Sequence, residues 1–193
     1  MFDFGGVIAE EGFRNGLIEL AHEQSLGVNN MPEEGMHAVY DSGFVLGKGT
    51  AADFWALMRE RTGLAGDDDI LTEKTMSGFV VRSWMMAVVK QLHDKGYVVG
   101  ILSDQTDWLD ILDKKYDFYS AFDHVYNSFY MGKGKQDVSL FSDVAEDLGV
   151  DPSAILFVDD DAGNIERAEK MRFNTIHYKD KYSFLTSIKK LLE

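Results

Sequence analysis

The sequence predicts an α/β fold, a parallel sheet covered by helices on both faces in three layers. Three observations carry that expectation. Short apolar runs (YVVGIL at 97–102, AILFV at 154–158, NTIHY at 174–178) alternate with longer stretches of helical periodicity. YVVGIL and AILFV are apolar throughout, as strands buried on both faces are, whereas NTIHY carries Asn174, Thr175 and His177. Glycines punctuate the ends of the helical stretches, at Gly96 and Gly149. The chain has 193 residues, 45% hydrophobic and 12% aromatic, enough to bury a full core in one compact domain or a domain with an insertion.

Taken in order, the first half reads as helices. Residues 13–26 place Phe13, Leu17, Leu20 and Ala21 near helical spacing, and Gly27 follows as a stop. Thr50 with Asp53 three residues on forms a capping box before the Phe54, Leu57, Met58 face. A weaker helix covers 67–79, its Asp67-Asp68-Asp69 run reading as a helix N-terminus, since calcium-loop spacing is absent. Residues 85–95 hold Met85, Val88, Val89 and Leu92 at i, i+3, i+4, i+7 and lead into the strand 97–102. A helical stretch, the run HVYNSFY at 124–130, and a helix from Asp137 to Gly149 come next, with Asp137 as its cap. Strand 154–158, helix 162–171, strand 174–178 and a terminal helix close the chain.

Composition excludes several functions. With 33 acidic against 19 basic residues the formal charge is −14, which disfavours nucleic acid and anionic membrane as partners. No apolar run approaches a membrane span, and the opening MFDFGGVIAEEGF has neither the basic nor the apolar region of a secretion signal. Zero cysteines removes disulfides, thiolate metal sites and cysteine nucleophiles, and fits a cytoplasmic location. The five histidines show no metal spacing. The tryptophans read as packing residues, with Trp108 near enough to the second site segment to border a pocket.

Ligands of open parallel sheets bind beyond the carboxyl ends of the strands, and four such places carry chemistry. Asp3 precedes the turn Gly5-Gly6; Ser103-Asp104 follow YVVGIL; Gly132-Lys133-Gly134-Lys135 follow HVYNSFY; Asp159-Asp160-Asp161 follow AILFV, with Asn164 beyond. Any one of them reads as a helix cap or a solvated turn, and GKGK lacks phosphate-loop spacing. Together they supply an attacking carboxylate, a hydroxyl, a lysine and a carboxylate pair. Phosphoryl transfer to a carboxylate needs that set, with a divalent cation between nucleophile and phosphate, and hard oxygen ligands suit Mg²⁺.

The order Asp, Ser, Lys, Asp-Asp resembles the four motifs of the haloacid dehalogenase-like hydrolase superfamily, in FDFGGVI, ILSD, GKGKQD and FVDDDAGNIERA. The pattern is most similar to that of sugar-1-phosphate phosphatases. The resemblance implies a Rossmann-like core over 1–10 and 80–193, with a helical cap inserted at 11–79; Arg14 and Lys48 fall in that cap, where they read as solvated charges ahead of substrate contacts. It implies Asp3 as nucleophile, with Ser103, Asp104 and Lys135 binding phosphate. Asp3, the Gly5 carbonyl, Asp160 and Asp159 would hold Mg²⁺, with Asp159 or Asn164 orienting that shell. The implied reaction is hydrolysis of a small phosphate monoester through an aspartyl-phosphate. The oligomeric state stays open.

Three departures stand against the family pattern. Gly5 occupies the position of the second aspartate, which protonates the leaving group, a loss of about 10²–10⁴-fold in rate. Gln136 replaces the proline after the lysine. Only two residues precede Asp3, so either the sequence starts downstream of its natural beginning or the first strand is unusually short. Gly5 keeps an impaired binding or scaffold protein as an alternative. A dehalogenase is another, opposed by the metal-type carboxylates Asp159 and Asp160. A receiver domain, suggested by ILFVDDDAGNIERA, fails because too few residues follow Asp159.

Overall fold

In the computed structural model, which describes residues 1–28 and 30–193 without the side chains of residues 190 and 192, helices and parallel strands alternate through the second half. Strands β1 (Gly100–Ser103) and β2 (His124–Asn127) pair in parallel, as do β3 (Leu156–Asp159) and β4 (Asn174–His177). One residue joins the pairs. Phe2 bridges Ile101 on one side and Val158 on the other, with Phe2 N donating to Gly100 O at 2.8 Å and Asp3 N to Val158 O at 2.9 Å. The order is therefore β2, β1, the segment at Phe2, β3, β4, so the chain-order reversal falls at Phe2. Asp3 is the next residue, at the crevice where such sheets bind ligands.

Side-chain alternation sorts the sheet between two cores. Phe2, Ile101 and Val158 face α5 (Ser83–Asp94) and α10 (Lys181–Leu192), packing with Val89 and Phe184. Met1, Leu102 and Phe157 face the opposite way, towards α8 (Ser139–Leu148), with Phe141 and Val144. The helix α9 (Ala162–Lys170) adds Ala168 to that second layer.

Residues 12–77 contain α1 (Gly12–Glu23), α2 (Met31–Asp41), α3 (Ala51–Thr62) and α4 (Asp68–Ser77), around a core of their own that includes Leu17, Phe44, Phe54 and Trp55. The capping box at Thr50 and Asp53 forms, and Gly63 ends α3 at φ 74°. Asp67 caps α4 by accepting from Asp69 N at 2.9 Å. One intruder enters this cluster. Trp108, at the start of α6 (Trp108–Tyr116), is 3% exposed and lies between Trp55 and Phe44, with centroids 6.1 and 5.6 Å away. No described helix is long and apolar enough to cross a membrane.

The structure corrects several expected elements. The strand expected over 97–102 occupies 100–103, and Tyr97 and Val98 are exposed, because the central segment offers pairing groups only around Phe2. The run 124–130 is a strand only to Asn127. That side chain accepts from Phe129 N at 3.2 Å and turns the chain into the short helix α7 (Ser128–Met131). The first helix stops at Glu23, where Ser25 adopts φ 55°, ahead of the stop expected at Gly27. Asp137 accepts from Ser139 N at 2.9 Å, just ahead of the assigned cap position of α8. Helix α2 escaped the periodicity reading, although Pro32 and the acidic first turn Glu33-Glu34 are start signals.

Candidate active site

Asp3, Ser103, Asp104, Lys135, Asp160 and Asn164 line one cavity with Asp3 as its hub, whereas Lys133 turns to Ser139 and Asp143 of α8. Asp3 Oδ1 accepts from Ser103 Oγ at 2.6 Å and from Phe4 N at 2.7 Å, and pairs with Lys135 Nζ at 2.9 Å. Its Oδ2 makes no hydrogen bond among the described residues, and Asp3 lines a cavity of about 670 Å³. One carboxylate oxygen is thus locked and the other is presented to the cavity.

After Asp3 the chain makes a wide turn over Phe4–Ile8, closed by Ala9 N donating to Phe4 O at 2.8 Å. Gly6 sits there at φ 75°, and a β-carbon on it would fall 2.2 Å from Asp160 Oδ2, so only glycine fits. Gly5 is different. Its backbone (φ −66°, ψ 136°) suits any residue, and a β-carbon would meet Gln105 Nε2 and Glu11 Oε2 at an ordinary 3.6 Å.

Lys135 is 2% exposed and lies between two carboxylates, reaching Asp159 Oδ2 at 2.7 Å as well as Asp3. Asp159 is fully buried and accepts from Asp161 N at 2.8 Å and from Asn164 Nδ2 at 3.1 and 3.2 Å. Arg167 in turn donates to Asn164 Oδ1 at 2.6 Å. Asp104 accepts the Lys135 backbone N–H on both oxygens, at 2.9 and 3.0 Å, and the Tyr40 hydroxyl at 2.6 Å. Gln136 lines the cavity beside Lys135, and the missing proline leaves the lysine in place.

Burial pushes the Asp3 carboxyl up to about 8, with the Lys135 charge opposing and the Asp159 charge reinforcing the rise. Asp160 rises to about 6, again through burial first and then the charges of Asp159 and Glu11. Burial pulls Lys135 down, but Asp3, Asp159 and Asp104 outweigh it and hold the ammonium above its usual range. Oxygens of Asp3, Asp159 and Asp160 approach within 4.8 Å of one another. Three carboxylates against one ammonium, all hard oxygen donors, fit a divalent cation. The fit is specific to this cluster among the described residues.

The cavity wall opposite Asp3 comes from α1 and α2, including Phe13, Arg14, Glu33, Met36 and Tyr40. Arg14 and Trp108 line the cavity; Lys48 is not among its lining residues. Tyr40, Glu11 and Arg167 were not foreseen from sequence. Tyr40 lies in α2, which lacks a clear apolar period, and Glu11 caps α1 by accepting from Arg14 N at 3.2 Å. A larger cavity of about 940 Å³ opens at the amino ends of the strands, around Met1, Val98 and Ile155. It holds no comparable group of acids, and the chemistry lies at the other end.

The fold and the site together define an α/β enzyme with an aspartate-centred, cation-ready cleft at the sheet's switch point. A model of the haloacid dehalogenase-like hydrolases matches residues 1–171, and the chain belongs to that family. It is similar to a HAD family enzyme from Bacteroides thetaiotaomicron solved in complex with magnesium and inorganic phosphate. That likeness has 25% identity over 95% of this chain and 96% of that one, with a TM-score of 0.74. A HAD-like family hydrolase from Porphyromonas gingivalis superposes with a TM-score of 0.79, at 23% identity over 100% and 96% of the chains. The L-2-haloacid dehalogenase from Xanthobacter autotrophicus, with chloropropionic acid covalently bound, shares the fold. Its TM-score is 0.66, at 17% identity over 98% of this chain and 81% of that one.

Proposed function

We propose that this hydrolase is a Mg²⁺-dependent phosphatase that removes phosphate from a small monoester, a sugar phosphate among the candidates, through an aspartyl-phosphate on Asp3. The observation that carries the reading is the asymmetry of Asp3, with Oδ1 held by Ser103, Phe4 and Lys135 and Oδ2 left to the cavity. Residues 11–79 act as the cap, since α1 and α2 form the wall facing Asp3. The cleft's acidity supports a cation requirement for any anionic substrate, and a cysteine-free chain fits a reducing, cytoplasmic compartment.

In the proposed reaction Asp3 Oδ2 attacks phosphorus and the bond from phosphorus to the ester oxygen breaks. The leaving oxygen takes its proton from water, because Gly5 supplies none. Water then attacks the phosphorus of the acyl phosphate, releasing inorganic phosphate and restoring Asp3. Lys135 offsets the charge gathering on the phosphoryl oxygens, and the Ser103 hydroxyl turns from Asp3 to donate to one of them. Asp104 holds the Lys135 backbone in place. Asp3, the Gly5 carbonyl and Asp160 would hold Mg²⁺, with Asp159 as a further oxygen donor and Asn164 orienting it. Bound there, the cation neutralises the repulsion between the carboxylate and a phosphate dianion.

The test measures phosphate release from a panel of sugar phosphates by wild type and Asp3→Asn, with and without Mg²⁺. Mg²⁺-dependent turnover lost in the variant is the expected result. Equal activity in both proteins, or no turnover of any monoester, would sink the reading. Metal-independent halide release from 2-chloropropionate would point to dehalogenation, for which the vacant acid position at Gly5 is the structural argument.

A further inference from the structure

Two strands of chain link residues 12–77 to the sheet, and they touch. Ala9 bridges Val81 in antiparallel fashion, with Glu10 N donating to Val80 O at 2.9 Å and Arg82 N to Ile8 O at 2.8 Å. Arg82, at the head of α5, closes this junction with every nitrogen of its fork. Nε and Nη2 grip Glu10 at 2.9 and 2.7 Å, and Nη1 donates to Gly6 O at 2.5 Å and Val7 O at 3.0 Å. Its side chain is 13% exposed and lies 5.2 Å over the Tyr178 ring.

The two carbonyls gripped by Nη1 belong to the turn that follows Asp3. Phe4, Val7 and Ile8 anchor that turn in the core through their side chains, but its backbone is less firmly closed, since one of its two wide bonds, Ile8 N to Asp3 O, is long at 3.4 Å. Gly5, whose carbonyl would face the cation, is adjacent to Gly6. The Gly6 α-carbon also packs against the Asp160 carboxylate closely enough to exclude a β-carbon. A shift of a few tenths of an ångström in this turn therefore alters the spacing between Asp3, the Gly5 carbonyl and Asp160.

We propose that Arg82 is a positioning residue that sets the spacing of the cation site by clamping the Gly6 and Val7 carbonyls to the junction of the two linkers. The inference rests on the cation site assigned above and adds a control point outside it. Arg82 makes no hydrogen bond to Asp160 and does not line the cavity, but its charge acts on Asp160 across the gap, so Arg82→Lys, which keeps the charge, isolates the route through backbone. An ammonium cannot replace the guanidinium, since one nitrogen cannot serve two carbonyls and both oxygens of Glu10 at fixed angles. Outer partners of metal ligands are typically worth about 10–100-fold in metal affinity.

The experiment titrates Mg²⁺ calorimetrically into wild type, Arg82→Lys, Arg82→Gln and Glu10→Gln, with circular dichroism and metal-free melting as the check on folding. Both Arg82 variants are expected to bind Mg²⁺ about tenfold more weakly. Their kcat should recover at saturating Mg²⁺ while the Mg²⁺ concentration for half-maximal rate rises by the same factor. Glu10→Gln keeps the bonds to Gly6 and Val7 and should stay within about twofold of wild type. Should Arg82→Gln fail to fold, Arg82→Lys decides, because it keeps the charge and the packing of the stem. Unchanged Mg²⁺ affinity in a folded Arg82 variant overturns the proposal, as does equal weakening by Glu10→Gln. Wild type that binds Mg²⁺ yet hydrolyses no phosphate monoester overturns the phosphatase reading and leaves the role of Arg82 standing. Wild type that binds no Mg²⁺ overturns both.

Discussion

Gly5 and Gly6 are neighbours of one chemical type held for different reasons. At Gly6 the positive φ and the Asp160 carboxylate both forbid a β-carbon. Gly6→Ala should lose about 1–2 kcal/mol of stability from the backbone alone and displace Asp160. Urea melts would read the first effect and a Mg²⁺ titration the second, and an alanine variant with wild-type Mg²⁺ affinity would contradict this account. At Gly5 the backbone is unstrained and the nearest atoms stand at van der Waals distance. Gly5→Asp should therefore fold normally and place a carboxyl group where leaving-group protonation is lacking. Turnover of a phosphate monoester with a poor leaving group should rise by about 10²-fold, the low end of general acid–base assistance. Activated aryl phosphates should gain much less, and that contrast is the measurement.

The elements that form the site differ in how they are held. β1 and β3 deliver Ser103 and Asp159 as the first polar residues after buried runs, and their registers are fixed by Phe2. The loop carrying Lys135 has no such ladder and is held by Asp104 through two backbone hydrogen bonds. Tyr40 of α2 bonds the same Asp104, so the helical segment contacts the lysine loop through one side chain. Helix α6 provides the larger anchor. Trp108 is buried among Phe44, Phe54 and Trp55 of the helical segment, and Ser128 of α7 donates to Val45 O at 2.7 Å. Trp108→Ala should cost about 3–5 kcal/mol if the segment and the sheet layer unfold together. Thermal melting followed by tryptophan fluorescence and by circular dichroism would check it. Two separated transitions in the variant would show the helical segment uncoupled, whereas a small single shift would show that the anchor carries little.

Across the whole molecule, part of the excess of acid converges on one cleft, at Asp3, Asp104, Asp160 and Asp161, and this makes stability depend on pH and cation together. Asp3 titrates near 3.8 when unfolded and near 8 when folded and metal-free, mainly because it is buried. The folded protein then holds a proton that the unfolded chain has shed between those values, so the Asp3 contribution to metal-free stability falls as pH rises through that window, while the buried Met1 ammonium, pulled down to about 5, contributes in the opposite direction. Asp160, raised to about 6, contributes in the same direction as Asp3 over the lower part of the window. Mg²⁺ requires the ionised carboxylates, so binding near pH 7 should release up to one proton. Calorimetry in buffers of different ionisation enthalpy would count it. Proton uptake would contradict the assigned cleft, as would a metal-free wild type that loses no stability relative to Asp3→Asn between pH 5 and 8, a comparison in which the Met1 contribution cancels.

The alternation of apolar runs and helical stretches was sufficient for the sheet class, because strands buried on both faces and amphipathic helices write distinct periods into a chain. The order of Asp3, Ser103, Lys135 and the aspartate pair was legible for a related reason, since the ends of parallel strands all open on one side. What lay beyond the sequence were contacts between residues far apart in the chain. A single residue, Phe2, replaces a central strand only because β1 and β3 flank it. Trp108 reads as an ordinary packing residue until α6 is seen entering the core of the helical segment. Tyr40 and Arg82 carry no local signal, because hydrogen-bond partners 64 and 76 residues away leave no periodicity to read. Local pattern determined which residues stand at the strand ends, and long-range packing decided what holds them there and which others close the cleft around them.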